Sequence, residues 1–407
     1  MTPGLTEEVL RQAEDMMTDM QARAFTLIDG WREEMLLFWE QLVNMESWSW
    51  AKDDVDNVAA FLKSSIERFG GQTELLEYPE AGNSLAAAFG QPTAKAPVCF
   101  MGHFDTVLPT GTTRERPFMI ENGKAYGPGV LDMKAGVVIQ LFAARALLEA
   151  GYSDRQIKVL LAGDEENMHP RSPMAAEFVE RSRGAAAAFN FETGDITDTL
   201  VIGRKGSYSF GMTTKGLSVH AGREPQNGRS AIREMAHKVI DIEALNDFTA
   251  GITFNVGVFK GGFTRNAIPD HAEIEIDVRI MRNDQLAHVE ERLKEITEKT
   301  YIQGVTTTLS KGGCMAPMEK TRGNEALFAH VKATAESIGQ RVTQPIVSGG
   351  ASDSAYSVLA GVPTIDQMGA RGQWNHSDRE YALVESLFER AKLAAACVLD
   401  IDSFARQ

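Results

Sequence analysis

Two histidines and three carboxylates stand out in the sequence by type and position: His103, Asp132, Glu166, Glu192 and His376. Imidazole nitrogen and carboxylate oxygen are donors that zinc accepts, and hydrolytic zinc sites leave one position open for water. Two zinc ions about 3.5–4 Å apart need one shared oxygen ligand and flanking ligands on either side. One bridging carboxylate, two histidines and two further carboxylates make up that set. Any one of the five, taken alone, reads as a solvated loop carboxylate or a hydrogen-bonded polar histidine. Their joint placement gives them weight.

That placement follows from the elements around them. Residues 97–102 form a short apolar run that reads as a buried strand ending on His103. Residues 132–150 read as a helix with Gly151 as its stop. Residues 157–163 and 185–191 are two more buried strands, the first delivering Asp164, Glu165 and Glu166, the second Glu192. Helical periodicity covers residues 6–40 and 53–69. Strands alternating with helices imply a mostly parallel sheet sandwiched by helices, where ligands collect beyond the carboxyl ends of the strands.

The pattern changes near residue 205. Residues 207–214 alternate, 228–245 read as a helix and 251–259 as a strand. Residues 271–281 alternate cleanly, with Glu273, Glu275, Asp277 and Arg279 on one face and Ile274, Ile276, Val278 and Ile280 on the other. A helix over 284–297 and a strand over 305–310 complete a β-α-β-β-α-β order, that of a ferredoxin-like α+β module. The expected division is a catalytic domain over 1–205 and 317–407, with a lid and dimerisation domain inserted at 206–316.

Bulk properties narrow the partners. At 407 residues two domains are the default, and 43% apolar with 24% charged residues is the composition of a globular protein. The net charge of −15 disfavours nucleic acid or an anionic membrane as partner. No run approaches the roughly 18 apolar residues of a membrane helix. Residues 1–23 are acidic and amphipathic, unlike a secretory signal, so the expected location is the cytoplasm. Cys99, Cys314 and Cys397 form no CxxC pair and read as buried free thiols.

Four stretches resemble the signatures of one family. They are His103-Phe104-Asp105-Thr106, the run Gly127 to Lys134, Asp164-Glu165-Glu166, and Asn375-His376-Ser377-Asp378. The family is the di-zinc peptidase and deacylase group of bacterial glutamate carboxypeptidase, acetylornithine deacetylase, succinyl-diaminopimelate desuccinylase and aminoacylase. The resemblance runs from about Glu34 to the C-terminus and implies a zinc-exopeptidase-like catalytic domain with the inserted module. It implies two Zn²⁺ per subunit, with cobalt or manganese suiting the same ligands. Asp132 would bridge, His103 and Glu192 would complete one zinc, and Glu166 and His376 the other. Asp105 would orient His103, and the Asp132–Met133 peptide would be cis. Glu165 would be the general base. His220 would polarise the scissile carbonyl, often in the other subunit of a homodimer.

The implied activity is cleavage of an amide bond beside a free carboxylate. The substrate would be a small peptide, as for a carboxypeptidase or dipeptidase, or an N-acyl amino acid, as for a deacylase. A metal-binding protein without catalysis is the third reading, and the presence of Glu165 speaks against it. Asn266 and Arg279 occupy positions that contact substrate in the family, and Gly349, Gly350 and Gly369 resemble loops that approach the product carboxylate. Where glutamate-releasing members carry an arginine, this chain has Lys311, a poorer bidentate partner. The loop from Ala370 to Trp374 is bulky and basic, which suits selection of the released acid. His169, His237, His271, His288 and His330 match no motif and read as surface residues.

Overall fold

The computed structural model describes residues 3–405, and the amphipathic reading of residues 1–15 falls on side chains outside those described. Two compact units form. The first runs to Gly203 and resumes over Lys320–Val347 and from Ser352, while the second comprises Arg204–Glu319 and Ser348–Ala351. The short stretch 348–351 departs from the expected division. Ser348 O accepts from the Lys205 amide at 3.0 Å and Gly350 O from the Arg204 guanidinium at 3.3 Å, which ties it to the second unit.

In the first unit the helices α1 (Pro3–Gly30), α2 (Arg32–Val43) and α3 (Lys52–Arg68) precede the sheet. The expected single helix over 6–40 is thus two. Strands β1 (Gln72–Leu76), β2 (Ser84–Phe89), β3 (Val98–His103), β4 (Ile157–Ala162) and β5 (Ala187–Asn190) line up as β1-β2-β4-β3-β5, with Thr364–Ile365 beyond β5. β3 runs parallel to β4 and β5, and Thr364–Ile365 parallel to β5. The β1 and β2 pairings are antiparallel and form one edge. That edge is invisible to apolar periodicity, because β2 reads Ser-Leu-Ala-Ala-Ala-Phe and alanine is a poor strand former.

The residues of β3 are all buried, as a strand flanked on both sides and covered on both faces must be. Helix α4 (Ala135–Ala150) is buried around most of its circumference because it lies against α1, the sheet and the helix Val384–Leu399. It stops at Gly151 in a left-handed conformation, φ 95°.

The second unit contains β6 (Gly206–Lys215), α5 (Ala231–Glu243), β7 (Thr253–Gly261), β8 (His271–Ile280), α6 (Gln285–Glu298) and β9 (Thr306–Met315). Its sheet is antiparallel in the order β7-β8-β6-β9, a ferredoxin-like arrangement. Ala272, Ile274, Ile276, Val278 and Ile280 face its core, and the charged partners on β8 face outward, as the alternation requires. Lys238 of α5 is fully buried, donating to the carbonyls of Ile296 (2.7 Å), Thr297 (3.2 Å) and Lys299 (2.5 Å) with Glu234 3.3 Å away. Its ammonium thereby satisfies carbonyls that the end of α6 leaves unpaired. Among the described residues no helix is long and apolar enough to cross a membrane.

Candidate metal centre

Three parallel strands deliver donors at their carboxyl ends. His103 closes β3, Asp164-Glu165-Glu166 follow β4, and Glu192 follows β5. Asp132 lies in the turn Val130–Lys134 before α4, and its peptide bond to Met133 is cis. Glu380 holds that turn from below: its carboxylate accepts from the amides of Leu131 (2.8 Å), Asp132 (2.9 Å) and Gly129 (3.3 Å). His376 comes from the loop between strands Arg371–Gln373 and Tyr381–Leu383. Those strands share a small sheet with Gly194–Asp195, which pairs with Arg371 and Gly372 just past Glu192. The loops carrying Glu192 and His376 are therefore anchored together.

The five side chains converge in two groups that share Asp132. His103, Asp132 and Glu192 form one and Asp132, Glu166 and His376 the other, each with its donor atoms within 4.8 Å of one another. His103 Nε2 is 3.3 Å from Asp132 Oδ1 and 3.2 Å from Glu192 Oε1. His376 Nε2 is 3.1 Å from Asp132 Oδ2 and 3.2 Å from Glu166 Oε2. Glu165 Oε2 stands 3.9 Å from His103 Nε2. Asn375 Nδ2 donates to Asp132 Oδ2 at 2.9 Å.

Asp105 does more than orient a ring. His103 Nδ1 lies 3.1 Å from its carbonyl and 3.3 Å from its carboxylate, which fixes the ring with Nε2 toward the donors. The same carboxylate accepts from the amides of Glu165 and Glu166 at 3.1 Å each and from the Ser49 hydroxyl at 2.6 Å. One buried carboxylate thus registers β3 against the loop after β4.

The electrostatics are those of crowded anions. Burial pushes the Glu165 carboxyl well above the usual carboxylate range, reinforced by the charges of Asp353, Glu192 and Glu166. Burial and the Asp132 charge push Glu166 up to about 7. Hydrogen bonds to Asp132 and Glu166 push His376 up to about 11. These directions are set by the protein's own charges. A divalent cation would reverse the logic at each ligand. The donor set fits one: it is all nitrogen and oxygen, and Glu166 Oε1 is buried without a hydrogen-bond partner among the described residues.

Residues 99–400 match the model of peptidase family M20/M25/M40. The chain belongs to this family. It is 26% identical to carboxypeptidase G2 of Pseudomonas sp. (strain RS-16) over 367 residues, covering 89% of this chain and 88% of that one. It is 28% identical to the succinyl-diaminopimelate desuccinylase of Dechloromonas aromatica over 217 residues, covering 49% of this chain and 57% of that one. A tripeptidase from Staphylococcus aureus superposes with a TM-score of 0.76 at 22% identity, covering 92% of this chain and 99% of that one. The chain is therefore an M20-family hydrolase, a metallopeptidase or deacylase by relationship.

Outside the two donor groups, the structure gives partners to several residues that the sequence of this M20-family chain singled out. Arg371 pairs with Asp198 at 3.0 Å and with Glu389, so the basic loop spends this charge within the first unit. Gly369 is required by packing: a Cβ there would meet Glu192 O at 2.4 Å and Phe191 O at 2.5 Å. At Gly349 no protein atom lies within 4 Å of where a Cβ would be, so packing within the chain does not require glycine there. In the second unit, Arg279 pairs with Asp277 at 2.9 Å and Lys311 with Glu290 at 2.7 Å. His220 and Asn266 are neighbours there, joined by the Ala221 amide donating to Asn266 O at 2.9 Å. His220 Nδ1 accepts from the Gly222 amide at 3.1 Å, which assigns the ring proton to Nε2. His169 and His330 are buried, not surface residues, and His237 stacks on Tyr301; His271 and His288 are exposed as expected. Cys314 is exposed, because β9 is an edge strand, while Cys99 and Cys397 are buried.

Proposed function

We propose that the chain is a two-metal hydrolase that cleaves an amide bond next to a free carboxylate, with two zinc ions held by His103, Asp132, Glu166, Glu192 and His376. The observation that carries this reading is the division of Asp132: Oδ1 faces His103 and Oδ2 faces His376. A carboxylate presenting one oxygen to each of two donor groups suits a bridge. The ions would supply Lewis acidity, making water nucleophilic at neutral pH and polarising the carbonyl.

Glu165 takes the proton of the attacking water and hands it to the departing nitrogen. Its side chain is buried, and its backbone amide is fixed by Asp105, so the carboxylate can hold one position through both transfers. His220 donates Nε2–H to the developing oxyanion, a role supported by its outward-facing exposed ring. Dimerisation through the second unit is supported by Ile240, Phe248 and Phe263, whose apolar side chains are exposed.

Release of a C-terminal amino acid from a peptide is the first choice of reaction, on the extent of the similarity to carboxypeptidase G2. An N-acyl-amino-acid deacylase is the second. The engagement of Lys311 by Glu290 favours it over a strict glutamate carboxypeptidase, because that ammonium already has a carboxylate. The test is a hydrolysis screen of dipeptides, a folyl-glutamate and N-acyl amino acids with zinc or cobalt supplied. Turnover of peptides supports the first choice and of acyl amino acids the second. No turnover of any would leave the non-catalytic reading.

A further inference from the structure

His169 matches no motif, yet its imidazole is buried and both its nitrogens are engaged. Nδ1 is 2.7 Å from Asp164 Oδ1 and Nε2 is 2.7 Å from Asp353 Oδ1. With both carboxylates ionised each can only accept, so both ring nitrogens donate and the ring is an imidazolium; burial pushes the Asp353 carboxyl up, and the charge and hydrogen bond of His169 oppose that push. The two aspartates are themselves buried, and among the described residues Asp164 Oδ2 and Asp353 Oδ2 accept no hydrogen bond. The ring cation is thus the compensation these anions have at that point, and burial of such a pair without it is costly. Phe178 and Tyr356 pack against the ring, at 6.3 and 6.0 Å between centroids, and keep water away.

The backbone shows what the bridge is for. Met168 and His169 both adopt left-handed φ values, 65° and 52°, which side-chain-bearing residues seldom take. The His169 amide donates to Asp164 O at 3.2 Å and the Met168 amide to Glu165 O at 2.7 Å. A closed turn from 164 to 169 results, and Glu165 and Glu166 sit inside it. Its far anchor, Asp353, follows Ser352, whose hydroxyl donates to Asp366 Oδ2 at 2.7 Å and accepts from Asn190 Nδ2 at 3.3 Å. Asn190 ends β5, two residues before Glu192. The chain of bonds therefore runs from the Glu165 turn to the strand that delivers Glu192.

We propose that His169 is a positioning residue: its imidazolium, bridging Asp164 and Asp353, fixes the turn that presents Glu165 to the attacking water and registers it against the strand end of Glu192. Burial opposes the charged ring but the charge of Asp353 and the two hydrogen bonds outweigh it, holding the imidazole well above its usual range. The proposal rests on the reading of Glu165 as the general base.

The experiment pairs two variants with a spectroscopic measurement. His169→Gln keeps one amide donor but removes the cation and one bond. Asp353→Asn keeps the acceptor for Nε2 and removes one buried charge. Loss of an outer hydrogen bond of this kind costs about 10- to 100-fold. For His169→Gln that loss is expected in kcat, with KM within about threefold and both metal ions retained. Asp353→Asn is expected to lose less, and the double variant no more than His169→Gln alone, since both act through one bridge. Unchanged kcat, a loss carried by KM, or loss of metal would each overturn the proposal. Separately, ¹⁵N spectra of the imidazole in the zinc-loaded wild-type enzyme at neutral pH should show both ring nitrogens protonated. A neutral ring sinks the bridge whatever the activity. A wild type that hydrolyses no amide would instead sink the functional reading, and the spectrum still decides the state of His169.

Discussion

Glu165→Gln is the substitution that separates chemistry from metal binding. Glutamine has the same shape and can occupy the same buried position, with the backbone amide of residue 165 still donating to Asp105 Oδ1 at 3.1 Å. What disappears is the ability to accept a proton 3.9 Å from His103 Nε2, beside the proposed metal ligands. General-base catalysis contributes about 10²–10⁴-fold. At about 1.36 kcal/mol per decade, that is about 2.7–5.5 kcal/mol of barrier. Stability should not follow, because the substitution removes one of several carboxylates that repel one another in a buried cluster. The expected result is a kcat lower by at least 10², unchanged metal content and an undiminished unfolding midpoint for the metal-free protein. Metal analysis beside steady-state kinetics reads it out. Glu166→Gln is the control: it removes charge from a carboxylate 3.2 Å from His376 Nε2, so metal should be lost first. If Glu165→Gln turned over within about threefold of wild type, or released an ion, the base assignment and the geometry behind it would be refuted.

Asp132→Ala should abolish turnover and lower occupancy of both metal sites, since each donor group includes this residue; two tightly held ions per chain in that variant would end the bridging assignment. Gly369→Ala would force a Cβ to 2.4 Å from Glu192 O, so it should destabilise the fold by about 1–3 kcal/mol and weaken metal binding at the His103 group, as urea titration and metal competition would show. His330 gives a pH effect. Burial holds its imidazole below the usual range, so the folded chain prefers it neutral. The stability it contributes is full above about 6.5 and falls as pH drops from there through the lower folded value. Urea midpoints of the metal-free protein at pH 7.5 and 5.5 should therefore differ less for His330→Gln than for wild type, and an equal difference would remove the residue from the account.

The strands that carry the proposed ligands were readable because a strand covered on both faces is mostly apolar, and β3, β4 and β5 are, with Lys158 in β4 and a polar residue closing β3 and β5 as the exceptions. Strand β8 was readable for the opposite reason, its strict alternation. The edge strand β1 and its neighbour β2 carry neither signal, being short, polar or alanine-rich. Side-chain partnerships across the chain left no local trace. Glu380 meets the Asp132 turn from 248 residues away, and Asp353 meets His169 from 184. Nor does the sequence say that Arg371 pairs with Asp198 or Lys311 with Glu290. The proposed ligands were singled out by motif; periodicity could only say that His103, Glu166 and Glu192 follow strands, and it was silent on His376.

The position of His376 has a consequence for how the protein comes into being. His103, Asp132 and Glu192, the members of one donor group, have all been synthesised before the second unit begins at Arg204. The other group waits for His376, 184 residues after Glu192. At roughly 5–20 residues per second the interval is about 9–37 s. During that time a nascent chain holds three donors and an unmatched Glu166, and the second unit has ample time to fold on its own. Hydrolytic competence is then among the last properties the chain acquires during synthesis. A product truncated anywhere before His376 would lack one of the five proposed ligands, so on this reading an incomplete polypeptide is left without a working centre.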